Sequence, residues 1–247
     1  PLIAARVVRL MLDVGFPGDV MALLPGHADV GQALITHPAC SGVAFTGSTA
    51  TSRLIARALA DRDGPLIPLI AETGGQNAMI VDSTALPEQV CDDVIHSAFG
   101  SAGQRCSALR ILCVQEDVAD DMIDMIVNAM KTRHVGHPQY MATDIGPVID
   151  HLAHARLMEH KAFLMQAGKI LGQMRIDPIV EREGHYIAPT LAEISDIGVL
   201  KGEVFGPFLH VIRYKAGQMD RLIEEIHATG FGLTLGLHSR IHALHAR

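Results

Sequence analysis

Residues 66–81 read Leu-Ile-Pro-Leu-Ile-Ala-Glu-Thr-Gly-Gly-Gln-Asn-Ala-Met-Ile-Val, so that two short apolar runs flank a polar turn with paired glycines. Short apolar runs bounded by glycine and proline are typical of buried strands. We therefore predict strands over 66–71 and 78–81. Glu72 follows the first of them directly, which places a carboxylate at the end of a sheet strand.

The same alternation of short apolar runs and amphipathic stretches continues in both directions. Toward the amino terminus it predicts helices over 2–12, 30–36 and 52–60, and strands over 20–24 and 42–45. Toward the carboxyl terminus it predicts helices over 87–99, 117–133, 151–167 and 219–228, and strands near Ile187 and over 111–114, 209–213 and 233–238. Strands that alternate with helices indicate βαβ units and a parallel sheet, and hence the α/β class.

Length and charge limit the classes of function. The chain has 247 residues, of which 49% are hydrophobic, enough for one large domain or parts of two. Its net charge of -7 offers no basic field for a nucleic acid backbone, so nucleic acid is not an expected partner. No apolar run is long enough to span a bilayer. A small-molecule substrate and a soluble, unexported protein are the expectation.

Four cysteines and fourteen histidines raise the question of disulfides and metals. The cysteines are Cys40, Cys91, Cys106 and Cys113. They lack C-x-x-C pairing and the spacing of a disulfide framework, which favours a reducing cytoplasm. His151 and His154 are three positions apart, but no acidic or thiol ligand completes a tetrahedral set, so we predict no metal site.

Two residues stand in contexts that favour chemistry. Cys106 follows the loop 100–105, Gly-Ser-Ala-Gly-Gln-Arg, whose glycines permit a backbone path that exposes the thiol. The guanidinium of Arg105 would stabilise a thiolate there if it stays near. Glu72 precedes the pair 74–75, whose conformational freedom allows a turn that holds the carboxylate beside another group. Taken singly, a cysteine is more often a buried apolar residue and a glutamate a solvated or capping one.

The segment 45–49, Phe-Thr-Gly-Ser-Thr, ends a predicted strand and opens a helix. The N–H groups at a helix start can bind a phosphate. An ordinary strand-to-helix turn capped by Ser or Thr is the alternative. The chain has neither G-x-G-x-x-G nor a Walker-type loop, so these residues alone leave both interpretations open.

Taken together, four segments resemble, in the same order, signature motifs of the aldehyde dehydrogenase superfamily. They are residues 45–49, 72–75, 103–107 and 203–207, the last reading Glu-Val-Phe-Gly-Pro. Residues 82–90 and 97–120 further resemble the glutamate γ-semialdehyde (pyrroline-5-carboxylate) dehydrogenase module of bacterial bifunctional proline-utilisation flavoenzymes. The resemblance spans nearly the whole chain.

The resemblance implies a fold and a set of site residues. Residues 1–73 would be the end of a Rossmann-type NAD-binding domain, and 74–247 most of an α/β catalytic domain, truncated at its carboxyl end. Cys106 would be the nucleophile, Glu72 the general base that activates the hydrolytic water, and Ser107 a substrate contact.

The same resemblance implies a cofactor, NAD, without distinguishing it from NADP. Gly47, Ser48 and Thr49 would bind this cofactor, the first two against its pyrophosphate. Glu203 would hold the nicotinamide ribose, and Phe205 would pack against the cofactor.

The implied reaction is oxidation of an aldehyde to a carboxylate through a cysteine thioester, with L-glutamate γ-semialdehyde as substrate in proline catabolism. The chain opens on a helix and closes just after a strand, so we expect a fragment of a cytoplasmic homo-oligomeric parent that also carries a proline dehydrogenase domain. Two alternatives stay open. The chain could be a non-catalytic or interaction module, or a cofactor-free thiol hydrolase that pairs Cys106 with a histidine, although no histidine stands in a matching motif.

Overall fold

The computed structural model describes residues 1–246, and the chain divides into two compact units, Pro1–Thr73 and Gly74–Arg247. No helix within the described residues combines the length and apolar character that crossing a membrane requires. Assigning the first unit to NAD binding and the second to catalysis stays a prediction.

The first unit contains three helices and a two-stranded parallel sheet. Its elements are α1 (Leu2–Asp13), α2 (Ala28–Thr36), β1 (Val43–Thr46), α3 (Thr49–Ala60) and β2 (Leu69–Glu72). Val43 is paired with Leu69 and Thr46 with Glu72, so both strands run in the same direction and end at the same edge. None of the residues 1–73 is buried.

The second unit is built on a six-stranded sheet. Its helices are α4 (Pro87–Phe99), α5 (Glu116–Lys131), α6 (His151–Ala167), α7 (Pro178–Arg182) and α8 (Met219–Ala228). Its strands are β3 (Ala78–Val81), β4 (Ile111–Gln115), β5 (Gly168–Gln173), β6 (Thr190–Ile194), β7 (Phe208–Tyr214) and β8 (Leu235–His238). The strand order is β5-β6-β7-β4-β3-β8, and every neighbouring pair is parallel except β5 with β6.

The core of this unit lies on both faces of the sheet. All four residues of β3 are buried, and successive side chains of a strand point to opposite faces, so both faces are covered there. The helix α4 begins with proline at its first position, where the missing N–H costs nothing, and it buries one side that includes Val90, Val94 and Ala98. A strand covered on both faces needs an unbroken apolar run, which explains the sequence of β3.

Three loops of the second unit that carry motif residues enter this sheet at the same edge. Residues 74–77 lead into β3, 106–110 into β4 and 203–207 into β7. Ala78 is the register partner of Ile111, and Ile111 is the partner of His210. Because the paired strands are parallel, their amino ends lie side by side and the three loops meet.

The α/β class and the parallel sheet are confirmed, while some strand predictions are wrong. Residues 20–24 lie in no strand, because an apolar run forms a strand only where a partner supplies hydrogen bonds. The strand expected near Ile187 begins at Thr190. The strand β5 was not predicted, since its sequence Gly-Lys-Ile-Leu-Gly-Gln has two glycines, which are depleted in strands.

Candidate active site

In the first unit, the ends of β1 and β2 lie together at one edge of the small sheet. The N–H of Gly47 donates to the backbone carbonyl of Glu72 at 3.0 Å. The carboxylate of Glu72 belongs to an exposed residue. The predicted general base and the predicted cofactor turn therefore share one edge of this sheet.

The turn into α3 is capped by Ser48. Its Oγ accepts a hydrogen bond from the N–H of Thr51 at 3.1 Å and lies 2.9 Å from the Oγ1 of that residue. The first N–H groups of the helix, beginning with Thr49, have no partner within the helix and carry the positive end of its dipole. Both interpretations of the segment thus describe it: it is a capped turn, and it presents donors suited to a phosphate. The N–H of Gly47 is not among those donors, because it is bound to Glu72.

In the second unit, the loop before Cys106 is a left-handed turn of backbone. Ser101, Ala102 and Gly103 have φ values of 56°, 54° and 66°. For the first two this conformation costs about 1–2 kcal/mol each, because the Cβ atom crowds the backbone. At the third position a Cβ atom would also overlap the carbonyl oxygen of Gly206. Only glycine fits at position 103.

The four cysteines differ in accessibility. Cys106 is exposed, Cys40 is half-buried, and Cys91 and Cys113 are buried. Burial raises the pKa of the Cys113 thiol to about 12, and burial together with a neighbouring carboxylate raises the pKa of Cys91. Cys106 is therefore the thiol best placed to meet a substrate, and the adjacent Ser107 is exposed as well.

The side chain of Arg110 is buried and binds the nucleophile loop from within; only 1% of it is exposed. Its Nη1 donates to the carbonyls of Gly103 at 2.6 Å and Gly206 at 3.3 Å. Its Nη2 donates to the carbonyl of Arg105 at 3.0 Å and to Oε1 of Glu203 at 3.4 Å. One guanidinium thus joins the nucleophile loop to the segment 203–207.

Arg110 places a positive charge near the thiol. Burial lowers the pKa of this guanidinium, while the negative charges of Glu203 and of a Cys106 thiolate raise it. Arg105 was expected to supply such a charge, and its Nη2 donates to the carbonyl of His96 at 2.9 Å. A cation that interacts with the thiol therefore lies on the buried side of the loop.

Asn77 fixes the backbone of the nucleophile itself. Its Nδ2 donates to the carbonyls of Cys106 at 2.7 Å and Ala108 at 2.9 Å. Its Oδ1 accepts from the N–H of Thr234 at 3.1 Å. This buried amide ties the loop before β4 to the loop before β8, and the position of the thiol depends on both.

The paired glycines allow two close approaches, that of Glu203 at Gly74 and that of Asn77 at Gly75. A Cβ atom on Gly74 would overlap Oε2 of that carboxylate, and one on Gly75 would crowd Oδ1 of Asn77. Neither glycine has a left-handed φ. Close approach, and not the special backbone conformation expected from the sequence, explains why glycine stands at both positions.

Glu203 and Phe205 line a cavity of about 530 Å³ together with residues of α6, among them Arg156 and His160. The Glu203 side chain is 19% exposed, and the Phe205 ring lies 5.3 Å from the guanidinium carbon of Arg110. The cavity combines a carboxylate, an aromatic face and a cation. Such a set suits a ligand with hydroxyl groups, a flat ring and negative charge.

A pair of histidines connects this cavity to the sheet. Nδ1 of His210 lies 2.8 Å from the carbonyl of Arg110 and therefore carries the proton, so its Nε2 accepts from Nε2 of His160 at 2.8 Å. Burial lowers the pKa of His160 to about 4 and that of His210 to about 3. Both rings are neutral near pH 7.

The structure thus groups the predicted residues into two sets. One set, at the carboxyl edge of the first sheet, is Gly47, Ser48, Thr49 and Glu72. The other, at the amino edge of the second sheet, is Cys106, Ser107, Glu203 and Phe205. Sequence reasoning missed Arg110, Asn77 and His210. For Arg110 a signal existed, since a lone cation directly before an apolar run that becomes a buried strand must bind something.

Comparisons with known proteins identify the family of the chain. Residues 1–245 match the model of the aldehyde dehydrogenase family. The chain belongs to the aldehyde dehydrogenase family. Among family members, it is 49% identical to the bifunctional protein PutA of Escherichia coli strain K12 over 98% of the chain and 19% of that protein. It is 33% identical to 1-pyrroline-5-carboxylate dehydrogenase of Bacillus subtilis strain 168 over 100% of the chain and 48% of that enzyme.

Solved structures of the family superpose closely on the chain. A structure of proline utilization A with proline bound in remote sites has a TM-score of 0.95 and 49% identity, over the whole chain and 25% of that protein. PnpE in complex with nicotinamide adenine dinucleotide has a TM-score of 0.93 and 32% identity, over the whole chain and 50% of PnpE. The chain spans about a fifth of the length of the bifunctional relatives that it matches.

Proposed function

We propose that this chain supplies the nucleophile and the general base for NAD-dependent oxidation of L-glutamate γ-semialdehyde to L-glutamate, within a longer enzyme of proline catabolism. The observation that carries the proposal is the exposed thiol of Cys106, which ends a left-handed loop that Arg110 joins to Glu203. The family match supports aldehyde oxidation as the reaction class. The names of the relatives, PutA and 1-pyrroline-5-carboxylate dehydrogenase, support the substrate and the pathway.

The chemistry of the residues fits NAD as the cofactor. Ser48 caps α3 and leaves N–H donors at the helix start for a pyrophosphate. Glu203 offers a partly exposed carboxylate for ribose hydroxyls, and Phe205 offers an exposed ring face. A relative of known structure binds nicotinamide adenine dinucleotide, which supports the choice. Bound NAD would accept the hydride that the substrate carbon loses.

Cys106 would carry out the first half of the reaction. Its thiolate adds to the aldehyde carbon and gives a thiohemiacetal whose oxyanion the backbone N–H of Cys106 helps to stabilise. After hydride loss the same sulfur holds the acyl group as a thioester. Asn77 and Arg110 keep the loop backbone in place during these steps through their bonds to the carbonyls of Cys106 and Gly103.

Glu72 would carry out the second half. Its carboxylate takes a proton from water, and the resulting hydroxide equivalent attacks the thioester carbon, whose bond to sulfur breaks to give the acid and the Cys106 thiolate. The acid ionises to the carboxylate product, and Glu72 returns its proton to solvent. Ser107, exposed beside the nucleophile, is proposed to contact the substrate. The parent chain is proposed to carry a proline dehydrogenase domain as well, on the ground that the relatives are bifunctional.

A thiol hydrolase would need a histidine paired with Cys106. His160 and His210 are bound to each other and to a backbone carbonyl. In the described part of the chain, no histidine forms a hydrogen bond with Cys106. The hydrolase therefore has no observation in its favour.

Replacing Cys106 by alanine in the intact enzyme that contains this chain tests the proposal. With pyrroline-5-carboxylate and NAD, we expect reduction of NAD to be abolished while NAD binding, measured by fluorescence quenching or calorimetry, is retained. Cys40→Ala is the matched control, because Cys40 is the other thiol that is not fully buried, and we expect it to retain turnover. Retained turnover in Cys106→Ala would overturn the proposal.

A further inference from the structure

We propose that Arg110 is a positioning residue that holds the nucleophile loop in its strained left-handed conformation and keeps Glu203 in register with it. This inference rests on the proposed function for its catalytic meaning. The geometry that carries it belongs to the loop alone.

The turn before the nucleophile is strained. Ser101 and Ala102 are the two residues other than glycine with positive φ in the described chain, and both lie in this loop. Ser101 is exposed, so core contacts of its side chain do not stabilise its conformation, whereas Ala102 packs in the core and Gln104 donates to the Ser101 carbonyl. These contacts hold the start of the turn. The carbonyls at its end need partners of their own, because a loop held at one end only would relax to ordinary φ values.

The hydrogen bonds of Arg110 oppose relaxation of this turn. The guanidinium donates to the carbonyl of Gly103 at the end of the turn and to that of Arg105 just before the nucleophile. A planar fork with several donors can bind both carbonyls at once, whereas a lysine ammonium at the same place lacks that geometry. Buried charge-assisted bonds of this kind are stronger than bonds between neutral groups.

Arg110 also binds the segment 203–207, which carries the residues proposed to bind the cofactor. The same guanidinium binds the carbonyl of Gly206 and Oε1 of Glu203, and it lies against the ring of Phe205. Movement of the nucleophile loop therefore changes the position of Glu203, and the reverse also holds. Arg110 couples the two halves of the site without itself touching the reacting atoms.

The test uses the intact enzyme that contains this chain and two readouts. Hydrogen exchange of peptides covering residues 100–109 reports the loop, and the rate of Cys106 alkylation by iodoacetamide at pH 7 reports the reactivity of the thiol. In Arg110→Lys, which keeps the charge but not the fork, we expect loop exchange to be at least tenfold faster and the alkylation rate to stay within about twofold. In Arg110→Met we expect faster exchange and an alkylation rate at least about threefold lower.

The matched control is Arg213→Met. Arg213 lies on β7 and forms ion pairs with Asp120 and Glu193. Its replacement removes an arginine from the second unit without removing a contact of the nucleophile loop. It should leave both readouts unchanged. If Arg110→Met does not fold, hydrogen exchange of Arg110→Lys decides. Loop protection in Arg110→Lys equal to that of the unsubstituted protein would overturn the proposal.

A second variant addresses the strain directly. Ser101→Gly removes the Cβ that opposes the left-handed turn at an exposed position. Added to Arg110→Lys, it should recover part of the lost protection, by about threefold or more. If Ser101→Gly speeds exchange equally in both backgrounds, Arg110 does not act against the strain. Because neither readout needs turnover, failure of the proposed reaction would leave these outcomes intact and distinguishable.

Discussion

The two units place their candidate residues at opposite ends of parallel strands. In Pro1–Thr73, Glu72 and the turn 46–49 lie at carboxyl ends, where ligands of open α/β sheets usually bind. In the second unit, the loops before β3, β4 and β7 carry Cys106 and Glu203 at amino ends. The carboxyl edge presents a capped helix start that needs no buried anchor, whereas the amino edge is fixed by buried polar groups, Arg110 and Asn77.

Chemistry and stability are therefore coupled in the second unit and separable in the first. No residue of the first unit is buried, so changes at its candidate site disturb little packing. In the second unit the nucleophile loop is bonded to side chains that are among the most buried of the molecule. Substitutions there should change stability and function together, and substitutions in the first unit should separate them.

The largest expected effect tests that separation. Glu72→Gln in the intact enzyme should allow one reduction of NAD per site and then a steady rate lower by about two to four orders of magnitude, because the amide cannot take a proton from water. Its melting temperature should stay within about 1 °C, since the side chain is exposed. Stopped-flow absorbance at 340 nm and calorimetry measure the two quantities. Asp63→Asn, another exposed carboxylate of this unit, is the control, and a near-normal steady rate in Glu72→Gln would remove that residue from the mechanism.

The next effect compares one glycine from each unit. Gly103→Ala should destabilise the second unit by about 3 kcal/mol or more, because its methyl group would overlap the carbonyl of Gly206 and its φ is positive. Gly47→Ala should cost about 1 kcal/mol or less, since the atoms it meets belong to the ring of Phe45, which can turn away. Urea unfolding of each variant gives the free energies. Equal losses of unfolding free energy in the two variants would contradict the idea that only the nucleophile loop of the second unit is anchored in a core.

A smaller effect concerns the histidine pair behind Arg110. The pKa of His160 in the folded chain, about 4, is below its unfolded value of 6.5, so the unfolded state binds a proton first as the pH falls. Stability from the neutral ring is therefore present above pH 6.5 and is lost between pH 6.5 and 4. His160→Gln keeps a donor toward His210 but does not titrate, and it should lose less stability over this range than the parent chain, by about 2 kcal/mol or less after allowance for solvent screening. Melting temperatures measured at pH 7, 6, 5 and 4 check this. If the melting temperatures of His160→Gln and of the unsubstituted protein fell in parallel, protonation of His160 would not cause the loss of stability.

Some helices and strands could be predicted from the sequence because local signals set their ends. The apolar run of β3 and the amphipathic helix α4 have bounds set by local signals, glycines before the strand and a proline at the helix start, and both were predicted at their observed limits. The run 20–24 is equally apolar but forms no strand, since pairing depends on residues far away in the chain. Local pattern identifies what a segment prefers, and tertiary partners decide the outcome.

The candidate site was likewise predicted only where local sequence decides the outcome. The exposure of Cys106 follows from its glycine loop, and the sequence predicted it. That Arg110 binds the nucleophile loop from within, while Arg105 binds the carbonyl of His96, depends on tertiary contacts, and the positions of the two arginines in the chain do not reveal that. The reason for Gly74 was likewise hidden, because the carboxylate it accommodates belongs to Glu203.

The smallest expected effect completes the comparison at the cap of α3. Ser48→Ala removes the acceptor of the Thr51 N–H and should destabilise this helix by about 1 kcal/mol, the usual value of such a cap. Because the first unit has no buried residues, the loss should appear as faster hydrogen exchange in residues 49–60 and leave residues 87–99 of the second unit unchanged. Asp150→Ala removes the cap that accepts from the N–H of Ala153 in α6, a helix with buried residues, and serves as the counterpart. If Ser48→Ala slowed turnover without altering exchange in α3, its hydroxyl would bind the cofactor and not the helix.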